Sequence, residues 1–304
     1  MDEWGVRPVA GLRNEGHRAG AATAITPDKW RTVRASLKAA GDRFAELITT
    51  APDAQVLVTA DWSLADTAAH VTGIAWLYTA LVRADVAPYP IPGLDEAIPA
   101  TTVDTVDVLN EMVLSRFTER DPREIAARLR GCIDEILSST DGLDPATGIG
   151  WLGGALVPRA GILAHLLNEL SIHGRDIARA IGVPWHTSAE GAALFFELFL
   201  VEMIRRDSGR LMVPDESVRY QRIAVQFHSR HTDPVTLVLH HGREVTAEAP
   251  RRDDDVHVFF DPPAMNLFLF HRIGTPRAVL TGKVRVWGRR PWRLPAFLRT
   301  MHLP

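Results

Sequence analysis

The chain has 304 residues, 46% of them hydrophobic and 23% charged, and its formal net charge is −3 at pH 7. These values favour a soluble globular protein of two domains. No run of 18 apolar residues is present, which excludes a transmembrane helix, and the first residues lack the basic and apolar parts of a secretory signal. A single cysteine excludes an internal disulfide, so we expect a cytoplasmic protein without a membrane partner.

The N-terminal part of the chain begins with a predicted tail and two predicted helices. Residues 1–25 lack periodicity, which predicts a loose tail. A Thr-Pro pair, which combines an N-cap with a first-turn proline, opens a helix over 26–50. Ser63 begins a second helix that runs to about Asp85, and Asp66 completes a capping box with it.

The middle of the chain alternates loops and helices. Four prolines between residues 86 and 100 predict a loop, and helical spacing then predicts helices over about 103–118 and 121–139. The second of these contains Cys132 at an apolar position, which favours a buried structural thiol over a nucleophile. A glycine-rich loop is predicted over about 142–154.

The pattern divides the chain into two domains. Helices over about 158–181 and 188–206 complete an all-α domain over 26–207, and a linker is predicted over 208–217. The remainder, 218–304, contains short β-branched or alternating segments, a helix that starts at the Asp-Pro-Pro sequence, and a final helix. The sequence therefore predicts a smaller α+β domain after the helical one. Its predicted strands are RIAVQF, VTLVLHH, EVTAEA, DVHVFF and two short strands within RAVLTGKVRVWG.

Charge is distributed unevenly between the two predicted domains. Residues 218–304 hold 14 Arg and Lys residues and 7 Asp and Glu residues. Such an excess of positive charge either attracts an anionic substrate or a nucleic acid, or is only a solvated arginine surface. No recognition motif is visible and the arginines are not interleaved with aromatic residues, so we do not expect a nucleic-acid partner.

The strongest chemical signal lies in the helix predicted over 158–181. Glu169 and His173 are spaced i, i+4, which brings a carboxylate and an imidazole to one face of a helix, as zinc or another divalent metal requires. His70, in a helix of small and apolar residues, is the best third ligand. Taken separately, each of these residues also fits an ordinary buried helix position, so a structural role without a metal stays open as the alternative.

Two neighbours of this pair have two readings each. His165 is either a fourth ligand or a hydrogen-bonded helix histidine, and its angular drift along the helix favours the second reading. Asp176 either orients a ligating imidazole or pairs with an arginine, for example Arg175 or Arg179.

Three segments together resemble the mycothiol-dependent maleylpyruvate isomerase family. VTADWSLADTAAHVTG (58–73) resembles its first motif, in which a tryptophan precedes a metal-binding histidine. NELSIHGRDIARAIG (168–182) resembles its Glu-x-x-x-His motif. AVLTGKVRVWGRRPWRLPAFLRTMHLP (278–304) resembles the end of its sterol-carrier-protein-like C-terminal domain.

The resemblance implies a DinB-like four-helix bundle followed by that smaller α+β domain. It also implies a divalent metal, with zinc expected, held by His70, Glu169 and His173, and mycothiol as the thiol cosubstrate. The metal would lower the pKa of the thiol, and the thiolate would isomerise a small electrophilic or anionic substrate about its double bond, or be transferred to it.

The sequence departs from the family pattern and leaves one alternative function. Gly174 stands where many members carry a larger residue, which suggests a changed substrate pocket. The alternative to a thiol-dependent enzyme is a non-catalytic small-molecule or lipid-binding protein with a structural metal. The oligomeric state is not fixed by the sequence. Candidates for lining a cleft between the domains are Trp151, Arg159, Arg222 and Arg285.

Overall fold

The computed structural model describes residues 25–83, 89–211, 222–274, 278 and 280–300. The predicted tail, except for Ile25, and most of the predicted linker lie outside these residues. The first part of the described chain is helical, and the second contains a mixed β-sheet, as the sequence predicts. The predicted domain boundaries stay predictions, as do the DinB-like and sterol-carrier-like assignments.

The helical part is organised around a four-helix bundle. In it, α1 and α2 each pack against both α5 and α6. A π-helical segment, Phe195–Val201, joins α7 to α8. The elements are α1 (Pro27–Thr50), α2 (Leu64–Leu81), α3 (Leu94–Ala100), α4 (Val106–Arg116), α5 (Pro122–Ser139), β1 (Gly148–Gly150), β2 (Leu156–Pro158), α6 (Arg159–Ala180), α7 (Ala189–Leu194) and α8 (Glu202–Arg206).

The first two helices begin with the caps that the sequence predicts. The Thr26 hydroxyl accepts a hydrogen bond from the Lys29 amide at 3.2 Å. Ser63 Oγ accepts from the Asp66 amide at 3.1 Å, and Asp66 Oδ2 accepts from the Ser63 amide at 3.2 Å. This reciprocal capping box satisfies backbone donors at the start of the helix that carries His70.

Two segments predicted as loops contain regular structure. Within 86–100, α3 forms because Leu94 and Ile98 lie one turn apart and bury their side chains together. Within 142–154, β1 pairs antiparallel with β2, and Ile149 faces Val157 across this ribbon, both buried. In both segments, buried apolar residues outweigh the proline or glycine content that predicted a loop.

The second half is a five-stranded mixed sheet with helices after its fourth and fifth strands. Strand order is β5-β4-β3-β6-β7, where β3 and β6 are parallel and the other neighbouring pairs are antiparallel. The elements are β3 (Arg222–His228), β4 (Val235–His240), β5 (Glu244–Glu248), β6 (Val256–Phe260), α9 (Pro262–Leu269), β7 (Val284–Trp287) and α10 (Leu294–Thr300).

One of the two strands predicted within residues 277–288 is wrong. Ala278 and Leu280 are helical, and β7 is the strand that the described part of this segment contains. The Ala278 amide donates to the Gly274 carbonyl at 3.1 Å, which is the i to i−4 bond of an α-helix. A short apolar run fits either state, and here the local hydrogen bond decides for helix.

The two halves share one apolar core at the π-helical segment. Phe196 points to the sheet, with its ring 5.7 Å from that of Phe227 and 4.9 Å from that of Phe260. On the bundle side, Phe195 stacks on Phe199 at 5.2 Å. The described helices include none with the length and apolar character needed to cross a bilayer.

We expect opposite effects from the same substitution at two helical glycines. At Gly174 a Cβ atom would overlap the indole of Trp185, which packs on α6 and donates from Nε1 to the Ser171 carbonyl at 3.0 Å. Gly174→Ala should therefore lower the free energy of unfolding in urea by about 1–3 kcal/mol. At Gly131 in α5 the added methyl meets open space, so Gly131→Ala should raise it by about 0.5–1 kcal/mol. Equal gains at both positions would contradict this account.

Candidate metal centre

The three predicted ligands come together between α2 and α6. His70 lies on α2, and Glu169 and His173 lie one turn apart on α6. One donor atom from each residue lies within 4.8 Å of the others. All three side chains are buried, at 5%, 8% and 9% exposure respectively. The structure thus brings together the residues singled out by sequence spacing.

Glu169 is the centre of this cluster. Its Oε2 lies 3.3 Å from His173 Nε2 and 3.9 Å from His70 Nε2. The ring of His70 also contacts Trp62, whose ring centroid lies 4.7 Å away. Two imidazoles and a carboxylate, buried and facing each other, form the donor set that zinc and related divalent ions prefer.

Burial and neighbouring charge set the protonation of these ligands. Burial, together with the nearby His173 ring, lowers the pKa of His70 to about 3. Burial alone would raise the pKa of Glu169, but the hydrogen bond from His173 and the neighbouring imidazoles outweigh it and lower that pKa to about 2. A neutral imidazole and an ionised carboxylate are the forms that coordinate metal, so the residues fit a divalent ion.

The depressed pKa of His70 makes the metal-free protein sensitive to acid. The unfolded chain takes up a proton on this side chain below pH 6.5, whereas the folded protein does so only near pH 3. The contribution of neutral His70 to the free energy of unfolding is therefore fully present above pH 6.5. It falls as the pH decreases, by about 2 kcal/mol between pH 6.5 and 5. His165, whose pKa is also lowered by burial, adds to this loss.

Urea unfolding of chelator-treated protein between pH 6.5 and 5 measures this effect. His70→Asn should reduce the loss by about 2 kcal/mol. His186→Gln should lose as much stability over this range as the wild-type protein, since His186 is exposed. A wild-type stability that is flat over this range would contradict the buried neutral state of His70.

His165 has the hydrogen bond expected of a structural helix histidine. Its Nδ1 and the Tyr78 hydroxyl are 3.0 Å apart, and its ring is tilted by 53° against that of Phe199, with centroids 4.8 Å apart. Its Nε2 lies 3.6 Å from Glu169 Oε1, which is beyond hydrogen-bond distance. The described cluster of possible metal ligands does not include it.

Asp176 pairs with an arginine from the second half of the chain. Arg272 donates to Asp176 Oδ2 from Nε at 3.1 Å and from Nη2 at 2.9 Å. His173 Nδ1 is 4.0 Å from the same oxygen, which is too far for a hydrogen bond, and this buried nitrogen has no partner in the described structure. The ion-pair reading of Asp176 therefore describes this structure, and it ties α6 to the residues after α9.

Comparison with known proteins assigns the chain to a family. The protein-family model described as the mycothiol maleylpyruvate isomerase N-terminal domain matches residues 16–178, a range that includes all three predicted ligands. The chain belongs to this family. No curated protein matches it.

Two solved structures resemble this family member. The crystal structure of the mycothiol-dependent maleylpyruvate isomerase is 14% identical, with a TM-score of 0.42, and the match covers 80% of this chain and 88% of that chain. A point mutant of that isomerase is 12% identical, with a TM-score of 0.43, over 79% and 88% of the two chains.

A cavity of about 380 Å³ adjoins the three ligands in this family member. Its volume lies within the range of small-molecule sites. Residues that the sequence did not single out contribute to it, including Tyr78, Phe195 and Phe199. The aromatic run FFELFL (195–200) was visible in the sequence, but only the π-helical turn determines which rings face the cavity.

Of the four residues considered for the cleft, Trp151 lines the cavity. Arg159 is buried elsewhere, where its Nε donates to the Val82 carbonyl at 2.9 Å. Arg222 and Arg285 are not among the described lining residues; Arg285 lies over the Phe259 ring instead. Cys132 is buried, and burial raises the pKa of its thiol to about 11, which agrees with a structural role.

Proposed function

We propose that this protein is a mycothiol-dependent metalloenzyme that acts on a small electrophilic molecule by isomerisation or S-transfer. The observation that carries the proposal is the buried cluster of His70, Glu169 and His173 beside a ligand-sized cavity. Membership of a family described by mycothiol maleylpyruvate isomerase supports the thiol cosubstrate. The chemistry of the donor set supports zinc as the ion.

The roles of the residues follow from their positions. His70, Glu169 and His173 would hold a divalent ion, which when bound lowers the pKa of a coordinated thiol and favours its nucleophilic form. Three protein ligands leave a coordination position for that thiol.

The groups around the ligands keep the site in one arrangement. A hydrogen bond between Tyr78 and His165 links α2 to α6 beside the three residues. Trp62 contacts the ring of His70 and limits its rotation. The apolar walls exclude water from the reacting groups.

Mycothiol-dependent turnover tests the proposal: S-transfer consumes the thiol, whereas isomerisation returns it and changes only the substrate. Zinc-loaded protein is mixed with mycothiol and a panel of electrophiles that includes maleylpyruvate and simple α,β-unsaturated carbonyl compounds. The loss of free thiol and the formation of isomerised substrate are then measured. We expect turnover that requires mycothiol and disappears on chelation or in Glu169→Gln. Cys132→Ser is the matched control, because this buried thiol lies outside the cavity and its loss should leave turnover unchanged. No metal-dependent reaction across the panel would reject an enzymatic role.

A second candidate function rests on one observation, the apolar character of the cavity. A non-catalytic protein that binds an apolar molecule, with a structural metal, would also use such a cavity. Co-purification of a stoichiometric apolar ligand, together with a metal that no thiol can reach, favours this candidate over the enzyme.

A further inference from the structure

The cavity beside the metal ligands extends through the bundle into the second half of the chain. Its lining includes His70, Glu169 and His173. Its other walls include side chains from β4, β6, β7, α9 and α10, among them Leu237, Val258, Val286, Met265 and Phe297. One continuous space therefore connects the proposed reaction site with the apolar face of the sheet.

The walls of this space carry very little charge. Among the described residues that line it, Glu169 and Arg272 are the two with an acidic or arginine side chain. Glu169 faces the three imidazoles, and Arg272 is engaged by Asp176 and by the Phe270 carbonyl at 2.7 Å. Away from the proposed metal ligands, a carboxylate would be buried here without a free matching cation, which costs free energy, whereas a hydrocarbon group has no such cost.

We infer that the electrophilic substrate carries an extended apolar portion, which lies between the π-helical segment and the sheet while its reactive end lies at the metal ligands. The inference rests on the proposed function for the position of the reactive end. Each methylene group moved from water into such a site contributes a roughly constant free energy, which tightens binding about fourfold. Affinity that increases with chain length is thus the signature of this substrate class.

Straight-chain thiols from butanethiol to octanethiol test the inference on cobalt-substituted protein, where a sulfur-to-cobalt charge-transfer band reports the position of the head group. The dissociation constant should fall by about 200-fold over these four methylene steps. If the band appears but the dissociation constant of the thiols does not depend on their chain length, the inference is overturned and the proposed metal site stands.

Absence of the band at every length would instead reject coordination of a thiol at the proposed metal site, and with it the proposed function. The 1-alkanols from butanol to octanol then decide the inference, because they need no metal. An affinity that rises about fourfold with each methylene supports an apolar occupant, and an affinity that does not change along the series overturns the inference.

A pair of matched variants locates the chain. Val286 on the edge strand β7 lines the cavity and is 36% exposed, so Val286→Phe can fill the space without overpacking a closed core. It should weaken octanethiol binding about tenfold or more and leave butanethiol binding unchanged. Val183→Phe is the control, since Val183 is 42% exposed and lies outside the lining. Equal effects of the two variants, or none from Val286→Phe, would overturn the inference.

Discussion

His173→Ala should bind zinc at least about 10²-fold more weakly than the wild-type protein, which we expect to retain about one zinc per chain after gel filtration. Structural zinc sites with four ligands provide roughly 10–16 kcal/mol of binding free energy, or about 2.5–4 kcal/mol for each ligand. The loss should be close to this value because Glu169 and His70 alone cannot enclose an ion. Mass spectrometry of metal content and competition with a chromogenic chelator measure it.

Two other histidines provide a graded control for this result. His165→Gln removes a neighbour of Glu169 that is 3.6 Å away and should cost about 10–100-fold in affinity, as changes around ligands do. His186→Gln alters an exposed histidine and should cost nothing. Equal zinc content in all four proteins, or a wild type that stays metal-free after incubation with zinc, would show that the clustered residues do not form a metal site.

Phe196→Ala should lower the free energy of unfolding by about 3–5 kcal/mol. Phe196 is 4% exposed and contacts Phe227 and Phe260 across the boundary between bundle and sheet, so its removal leaves a hole in the core that both halves share. Since the two halves are stabilised by the same contact, we expect them to unfold in one transition at a lower urea concentration. Far-ultraviolet circular dichroism and tryptophan fluorescence, recorded on the same samples, measure the change.

Phe259→Ala is the matched control for this substitution. Phe259 is on β6 beside Phe260, but its side chain is only partly buried and contacts His228 and Arg285 instead. Truncation there should cost no more than about 1.5 kcal/mol. A cost below 1 kcal/mol for Phe196→Ala, or two separate transitions in the wild-type protein, would contradict a shared core.

Much of the fold could be predicted because capping residues and periodic apolar positions are local signals. Ser63 and Asp66 marked the start of α2 correctly, and the i, i+4 spacing of Glu169 and His173 placed them on one face of α6. The helix α3 was missed because Leu94 and Ile98 are stabilised by burial against other elements, which proline content does not reveal. Tertiary contacts overrode local preference there.

The clustering of His70, Glu169 and His173 could be predicted from the sequence, but the surroundings of the candidate site could not. His70 and His173 could be matched to motifs, whereas Arg272 is about a hundred positions from its partner Asp176, and no local pattern connects them. The apolar walls were hidden for the same reason, because they combine single residues from many elements. The basic composition of the C-terminal part left an anionic substrate and a solvated arginine surface open, and the structure pairs Arg290 and Arg293 with Asp255.

The π-helical turn at Phe195–Val201 determines which residues of α8 reach the cavity. Such a turn accommodates one residue more than an α-helix would, so its deletion would restore regular α-helix. Every later residue of α8 would then rotate by about 100° and shift by about 1.5 Å relative to the bundle. Met203 and Ile204, which line the cavity, would leave its wall. A single-residue deletion at this position would therefore reshape the cavity wall while His70, Glu169 and His173 stay in place.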